Sequence, residues 1–378
     1  MSKTILLRLP NWLGDAVMCS SAFEKLKLAY KDSTFILVGS QVVEIFASDS
    51  RVDRVIIDES KKAKCRIYAT YRLAKLAGSA DISFCFTNGI FGALFLFFTR
   101  SKVRVGYAKN FRAFLLTNAV KMPTIKPFHQ VQKYEYLLKD FVSETIFSSF
   151  SPLKLPLHNV SNIVRDCKKA IGINPGAAYG SAKCWDREYF LQIIKDFLEQ
   201  GYVVYLFGSG AGLQIDSKQE SQQYAFLQSQ NFIDATNKTT LSELVEAINK
   251  LELFITNDSG PMHIAAALNV KTLSIFGSTD TADTCPWNET IAQEFFYSNA
   301  RILKQCVSAD SKESMSDFVP KDITSLNIVQ ANNLHIISKH IECSPCKKRV
   351  CPLKHHLCMT SITPSEVLNL ANTALQQL

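Results

Sequence analysis

The sequence has no low-complexity tract, no dinucleotide fingerprint and no apolar run long enough to cross a bilayer. Its strongest apolar stretch, IFGALFLFF over 90–98, is about half the roughly 20 residues that a spanning helix needs. At the start, MSKTILLRLPNW is interrupted by Arg8 and Pro10 before a signal-peptide core can form, so secretion is not expected and the cytoplasm is. Cysteine is not scarce, but the eleven are odd in number. Without an export signal they read as reduced thiols or metal ligands, not as a disulfide framework. The first strand-to-helix turn, RLPNWLGDAVM, has a single glycine, and FGSGAGLQID places Gly208, Gly210 and Gly212 as G-x-G-x-G. Neither is the G-x-G-x-x-G spacing, and a dehydrogenase reading loses its main support.

Nearly half the residues are apolar and a fifth are charged, the balance of a globular protein, and 378 residues suit two domains. Lys plus Arg number 42 against 34 Asp plus Glu, a net +8. Much of that excess lies in KKAKCRIYATYRLAK (61–75) and RSKVRVGYAKNFR (100–112). Such patches favour an anionic partner, although solvated helix and loop faces look the same in a sequence.

Strand and helix patterns alternate from the outset: strand 4–9, helix 16–30, strand 34–40, a helix around 42–47, strand 54–59, a basic helix, strand 81–86, helix 90–98, strand 103–108 and helix 129–141. Crossover helices that cover both faces of a parallel sheet satisfy this rhythm. The Ser/Pro-rich stretch SSFSPLKLPLHNVSN then reads as a linker. A second series follows, with strands 169–176, 202–209, 232–236, 253–258 and 271–278 and helices 186–200, near 214–229, 240–251 and 260–269. The expected fold is α/β, two Rossmann-like doubly wound domains over 1–160 and 161–362, with a central cleft. Residues 280–342 lose the rhythm. A last element over 363–378, free to pack back on the N-terminal domain, opens with Thr363 as N-cap, Pro364 at N1 and Glu366 at N3, a capping box.

In open α/β sheets ligands bind beyond the carboxyl ends of the strands. Asp15 stands there after the first strand, where a carboxylate can act as general base or simply complement the helix dipole. In NPGAAYGSAKCW, Gly176 and Gly180 let backbone amides approach an anion, and Lys183 can neutralise a diphosphate. Trp185 is either part of that site or packed beneath the helix. TNDSGPMHIAAAL starts a helix at Ser259-Gly260, whose exposed amides make a pyrophosphate site; a Ser-capped helix with an ordinary His263 is the alternative. The tail ECSPCKKRVCPLKHHLC holds Cys343, Cys346, Cys351 and Cys358, a candidate structural zinc site or a reduced thiol-rich loop.

Taken in order, LLRLPNWLGDAVM, NPGAAYGSAKCW, TNDSGPMHIAAAL with FGSTD, and CSPCKKRVCPLKHHLCM resemble the ADP-heptose:lipopolysaccharide heptosyltransferases of glycosyltransferase family 9, closest to the heptosyltransferase II branch. The resemblance implies a GT-B fold and inverting, metal-independent transfer of L-glycero-D-manno-heptose from ADP-L-glycero-D-manno-heptose, with no cofactor. The second heptose would be added to the first in the inner core of lipopolysaccharide or lipooligosaccharide.

By position the resemblance implies Asp15 and Lys183 as catalytic, and Gly176, Ala177, Lys183, Trp185, Gly208, Asp258, Ser259, Gly260 and His263 around the donor. Asn11, Trp12 and Gly14 fall on the acceptor side. The partners implied are ADP-heptose and a lipid A-Kdo-heptose acceptor, with no nucleic acid and with peripheral contact at the cytoplasmic face of the inner membrane. Relatives often carry a glutamate where this chain has Gln214 and Asp216, and its 285–340 region is longer than usual. A nucleotide-sugar epimerase of the same architecture, or a non-enzymatic sugar-binding protein, are the rival readings.

Overall fold

The structure, a computed structural model, describes residues 2–123, 128–160, 163–164, 169–209, 215, 223–293, 326–339 and 341–376. The chain divides into two compact units, 1–158 and 159–378.

Unit one carries β1 (Thr4–Arg8), β2 (Thr34–Gly39), β3 (Val52–Ile57), β4 (Ile82–Cys85), β5 (Val103–Tyr107) and β6 (Asn118–Val120). They lie in the order β3-β2-β1-β4-β5-β6, and every pairing is parallel. The central strands are buried almost end to end, which is why they read as continuous apolar runs without alternation. Helices α1 (Leu13–Met18) and α2 (Ser20–Ala29) follow β1, α3 (Arg66–Ala77) and α4 (Ile90–Thr99) flank β4, and α5 (Gln130–Tyr136) follows β6, with a short helix at Glu144–Ser148 behind it. The single helix expected over 16–30 is therefore two, parted at Cys19, and the one around 42–47 is a 3-10 turn over Gln41–Phe46. β6, three residues long, carries too little pattern to be seen beforehand.

Unit two carries β7 (Ala170–Asn174), β8 (Val203–Leu206), β9 (Phe232–Asp234), β10 (Leu253–Asn257), β11 (Thr272–Phe276), β12 (Leu326–Ala331) and β13 (Leu334–Lys339), in the order β12-β13-β11-β10-β7-β8-β9. β12 alone is antiparallel; it forms a hairpin with β13 inside the stretch that sequence periodicity left unassigned. Its longer helices are α6 (Arg187–Glu199), α7 (Leu241–Asn249), α8 (Gly260–Ala267) and α9 (Pro364–Gln376). Half of the helix expected near 214–229 lies outside the described residues, and the described half carries a 3-10 turn at Ala225–Gln228.

The terminal helix is capped as its sequence predicts: Thr363 N–H donates to Glu366 Oε2 at 2.7 Å and Glu366 N–H to Thr363 Oγ1 at 3.4 Å. It is no separate element. Its stripe of Val367, Leu370, Ala371 and Ala374 is buried in the unit-two core with Phe190, Ile194 and Phe197 of α6, so its apolar face is already used and it belongs to unit two. Among the described residues no helix is long and apolar enough to cross a membrane.

The strand order reverses between β1 and β4 in unit one and between β7 and β10 in unit two. These are the switch points beyond whose carboxyl ends a crevice opens, and Asp15, Lys183 and Asp258 all follow one of those strands.

Candidate functional site

Asp15 occupies the third position of α1, whose N-cap residue Trp12 makes no side-chain cap. Its role is therefore not that of the cap. Oδ1 accepts a hydrogen bond from the Tyr134 hydroxyl at 2.9 Å. Burial pushes the Tyr134 phenol well above its ordinary value and the Asp15 carboxylate adds to the effect, so the phenol stays protonated and donates. Tyr134 is held in turn by its neighbour on α5. Glu135 forms a buried pair with Lys25 of α2 at 2.9 Å, and Lys25 also donates to the Phe147 carbonyl at 2.7 Å. A buried pair removes the freedom of both side chains, and α5 is thereby locked across the start of α1 and α2.

The turn that carries Asn11, Trp12 and Gly14 rests on a second buried pair. Arg8, at the end of β1, lies 2.5 Å from Asp58 and donates to the Leu9 carbonyl at 2.9 Å and to Asn11 Oδ1 at 3.4 Å. Ser40 Oγ donates to the Asn11 carbonyl at 3.0 Å. Trp12 is left 50% exposed, a large apolar surface next to the carboxylate.

In unit two the two loops of the switch point are stitched together by polar residues that end apolar strands. Asn174, last in β7, donates to the Gly176 carbonyl, to Thr256 Oγ1 and to Ser259 Oγ at 3.2–3.3 Å. Asn257, last in β10, accepts from Trp185 N–H at 3.0 Å and donates to the Pro175 carbonyl at 2.6 Å. Both are buried, so their amide groups must be satisfied by the loops they order.

The outcome is an ion pair at the sheet edge. Lys183 Nζ lies 2.5 Å from Asp258 Oδ2, with side chains 12% and 5% exposed, and Thr279 Oγ1 donates to the same oxygen at 2.6 Å. Tyr179 closes over the ammonium, its ring centre 5.0 Å from Nζ. The start of α8 stands alongside. Ser259 is its N-cap residue but makes no side-chain cap; its hydroxyl turns to Thr256 Oγ1 at 2.9 Å. The Ser259 side chain therefore caps none of the first-turn amides, of which Gly260 and Met262 carry an N–H and Pro261 none. His263, one turn in, is buried, and Nδ1 has no hydrogen-bond partner. Burial lowers its pKa to about 4, leaving the ring neutral.

Of the residues expected around the donor, Gly176, Ala177, Lys183, Asp258, Ser259, Gly260 and His263 all lie on the β7 and β10 loops and the first turns of α8. Gly208 follows β8 at the same edge, its carbonyl bonded to Asn237 N–H at 2.9 Å. Trp185 is a correction. Its side chain is 1% exposed, its indole donates to the Ile362 carbonyl at 2.8 Å, and it packs on Phe190 with ring centres 4.9 Å apart. It seats the loop from beneath and presents no ring to a ligand. Gly210, Gly212, Gln214 and Asp216 lie outside the described residues. Sequence reasoning missed the roles of Tyr134, Asn174, Asn257 and Thr279; an asparagine closing an otherwise apolar strand, as in AIGIN and LFITN, was the available signal for two of them.

The cysteine tail folds over this site. Ala182 N–H donates to the Arg349 carbonyl at 3.0 Å and Lys347 N–H to the Ser278 carbonyl at 2.8 Å. A Cβ on Gly180 would stand 2.2 Å from the Arg349 oxygen, so only glycine admits the tail there. Cys343, Cys346, Cys351 and Cys358 line one small cavity with His355 and His356, and all four are free thiols. Burial and the other three cysteines push the Cys358 thiol up to about 11. Among the described residues no group of three or more His, Cys, Asp and Glu is set to hold a metal ion.

The model of glycosyltransferase family 9 (heptosyltransferase) matches residues 71–314. Lipooligosaccharide heptosyltransferase 2 of Campylobacter jejuni subsp. jejuni serotype O:2 is 32% identical over 377 residues, 98% of each chain. Lipopolysaccharide heptosyltransferase 2 of Escherichia coli K12 is 26% identical over 75% of this chain and 85% of its own. The solved structure of E. coli ADP-heptose lps heptosyltransferase II shares the fold, with a TM-score of 0.73 at 21% identity over 99% of both chains. With the family match spanning more than half the sequence and a relative aligned almost end to end, the chain belongs to glycosyltransferase family 9, the heptosyltransferases.

Proposed function

We propose that the protein transfers L-glycero-D-manno-heptose from ADP-L-glycero-D-manno-heptose to the first heptose of a lipid A-Kdo-heptose acceptor, with inversion and without a metal. The observation that carries this is the uncapped start of α8 beside the Lys183–Asp258 pair. A helix start without a side-chain cap, with the Gly260 and Met262 amides in its first turn, and an ammonium beside it suit a diphosphate, whose negative charge grows as the sugar departs. Lys183 and the amides take the charge-neutralising role, with Gly176, Ala177, Gly208, Asp258, Ser259, Gly260 and His263 shaping the donor site.

In unit one Asp15 is the general base, with Asn11, Trp12 and Gly14 on the acceptor side. The acceptor hydroxyl loses its proton to the Asp15 carboxylate, its oxygen bonds the anomeric carbon, and the bond from that carbon to the phosphate oxygen breaks with its electrons leaving on ADP. The Tyr134 hydroxyl holds the carboxylate in place for this. Since the acceptor is lipid-linked, the reaction belongs at the cytoplasmic face of the inner membrane, with the protein in peripheral contact.

A transfer assay with defined truncated core acceptors tests the reading. The expected result is one heptose added to the acceptor ending in a single heptose, one ADP released per transfer, an inverted anomeric centre by NMR, and turnover that persists in EDTA. Conversion of ADP-heptose to an epimer without acceptor would instead establish the epimerase reading, and donor binding with no turnover the sugar-binding one.

A further inference from the structure

The cysteine tail CSPCKKRVCPLKHHLC is a motif that the transfer chemistry above leaves without a task. Its backbone is fastened to two loops of the donor site. On the loop after β7, Ala182 N–H donates to the Arg349 carbonyl at 3.0 Å and the Tyr179 hydroxyl to the Lys347 carbonyl at 3.0 Å. On the loop after β11, Lys347 N–H donates to the Ser278 carbonyl at 2.8 Å, and the Ser344 hydroxyl donates to the Gly277 carbonyl. The fit is close on both sides. A Cβ on Gly180 would stand 2.2 Å from the Arg349 carbonyl oxygen, and one on Gly277 would stand 2.9 Å from that of Cys358. These loops carry Lys183 and Thr279, the two partners of Asp258, so the tail is held in register with the ion pair.

The side chains that the tail brings there are basic. Residues 343–365 contain four Lys and Arg and no acidic residue. Lys347 is paired with Asp283 at 2.5 Å and with Asp280 at 3.8 Å. Arg349 lies against Tyr179 instead: its guanidinium carbon is 5.3 Å from the ring centre, and Lys183 Nζ is 5.0 Å from the same centre. One tyrosine ring thus carries two cations, each attracted to the ring and each repelling the other. An anion bound beside them relieves that repulsion.

A diphosphate needs such a second cation. Asp258 already neutralises Lys183, so that pair alone offers the ligand no net positive charge. A guanidinium beside the same ring supplies it, and its fork of N–H donors matches a pair of phosphate oxygens better than an ammonium does.

We propose that Arg349 is a donor-contacting residue, its guanidinium bonded to the diphosphate of the nucleoside diphosphate sugar and balancing part of the charge that gathers there as the sugar departs. The tail is the scaffold that holds it in place. The inference deepens the functional reading above and rests on it for the identity of the donor.

Calorimetric titration of the full chain with ADP and with adenosine tests it. Arg349→Met should weaken ADP binding about tenfold or more, as losing a charge-assisted hydrogen bond does. Adenosine binding and the melting temperature should stay at wild-type values. Arg349→Lys, which keeps the charge without the fork, should recover part of the loss. Lys354→Met, which removes an exposed cation of the same tail, should bind ADP like wild type. Unchanged ADP affinity in Arg349→Met would overturn the proposal. So would an equal loss in Lys354→Met, the mark of a diffuse field, or an equal loss with adenosine, the mark of a displaced loop. Wild-type protein that binds no ADP would end both this proposal and the functional reading. If the expected pattern appears while no core acceptor is turned over, the transfer reading fails and Arg349 keeps its place at the diphosphate.

Discussion

Lys183 and Asp258 meet at 2.5 Å at the carboxyl edge of the unit-two sheet, with Thr279 on the same carboxylate oxygen and both side chains almost wholly out of water. The pair joins a loop after β7 to the start of α8.

Replacing one partner strands the other. Lys183→Met should lower stability by about 3 kcal/mol, because it leaves a buried carboxylate unpaired, and should also weaken ADP-heptose binding. Lys183→Met/Asp258→Asn should regain most of the stability and none of the affinity. Thermal unfolding and calorimetric titration read the two effects separately; equal recovery of both would remove Lys183 from the donor site.

Asp15→Ala should leave donor affinity close to wild type and lower transfer about a hundredfold or more, as losing a general base does. Tyr134→Phe should have a smaller effect, since it removes only the hydrogen bond that orients the carboxylate. Steady-state turnover beside donor titration checks both, and unchanged turnover in Asp15→Ala would take this carboxylate out of the mechanism.

His263 links stability to pH. Burial lowers its pKa to about 4 in the fold, against about 6.5 in an unfolded chain. The unfolded state therefore binds the extra proton first. The contribution is fully present above about pH 6.5 and is lost as pH falls towards 4, amounting to about 3 kcal/mol across that window. Melting temperatures from pH 7 to 4 should show a fall that His263→Gln flattens; parallel curves for the two proteins would show that this ring does not titrate as its burial requires.

Trp185→Ala should cost about 3 kcal/mol or more as a core truncation. Trp185→Phe, which keeps the ring but strands the Ile362 carbonyl, should cost less. Donor affinity measured well below the melting temperature should hardly change in Trp185→Phe. A large loss of affinity without a loss of stability would return the indole to the donor site.

The α/β rhythm and the strand ends that bear Asp15, Lys183 and Asp258 were legible because parallel strands buried on both faces must be apolar throughout, and helices between them must be amphipathic. The capping box at Thr363 was legible because its two hydrogen bonds join residues three apart. The β12–β13 hairpin was not, since a short strand added at a sheet edge need not continue the repeating pattern.

What the sequence determined by itself is what local period and neighbouring residues can express: the class of fold, the order of most of its strands and helices, and which loops follow the carboxyl ends of the strands. Only the tertiary structure decided that Trp185 points into the core, that Ser259 turns from its own helix towards Thr256, that Tyr134 bonds Asp15 across 119 residues of chain, and that α9 completes unit two. Each of these is a choice among partners distant in sequence, made by burial and by the need of every buried polar group to find a mate.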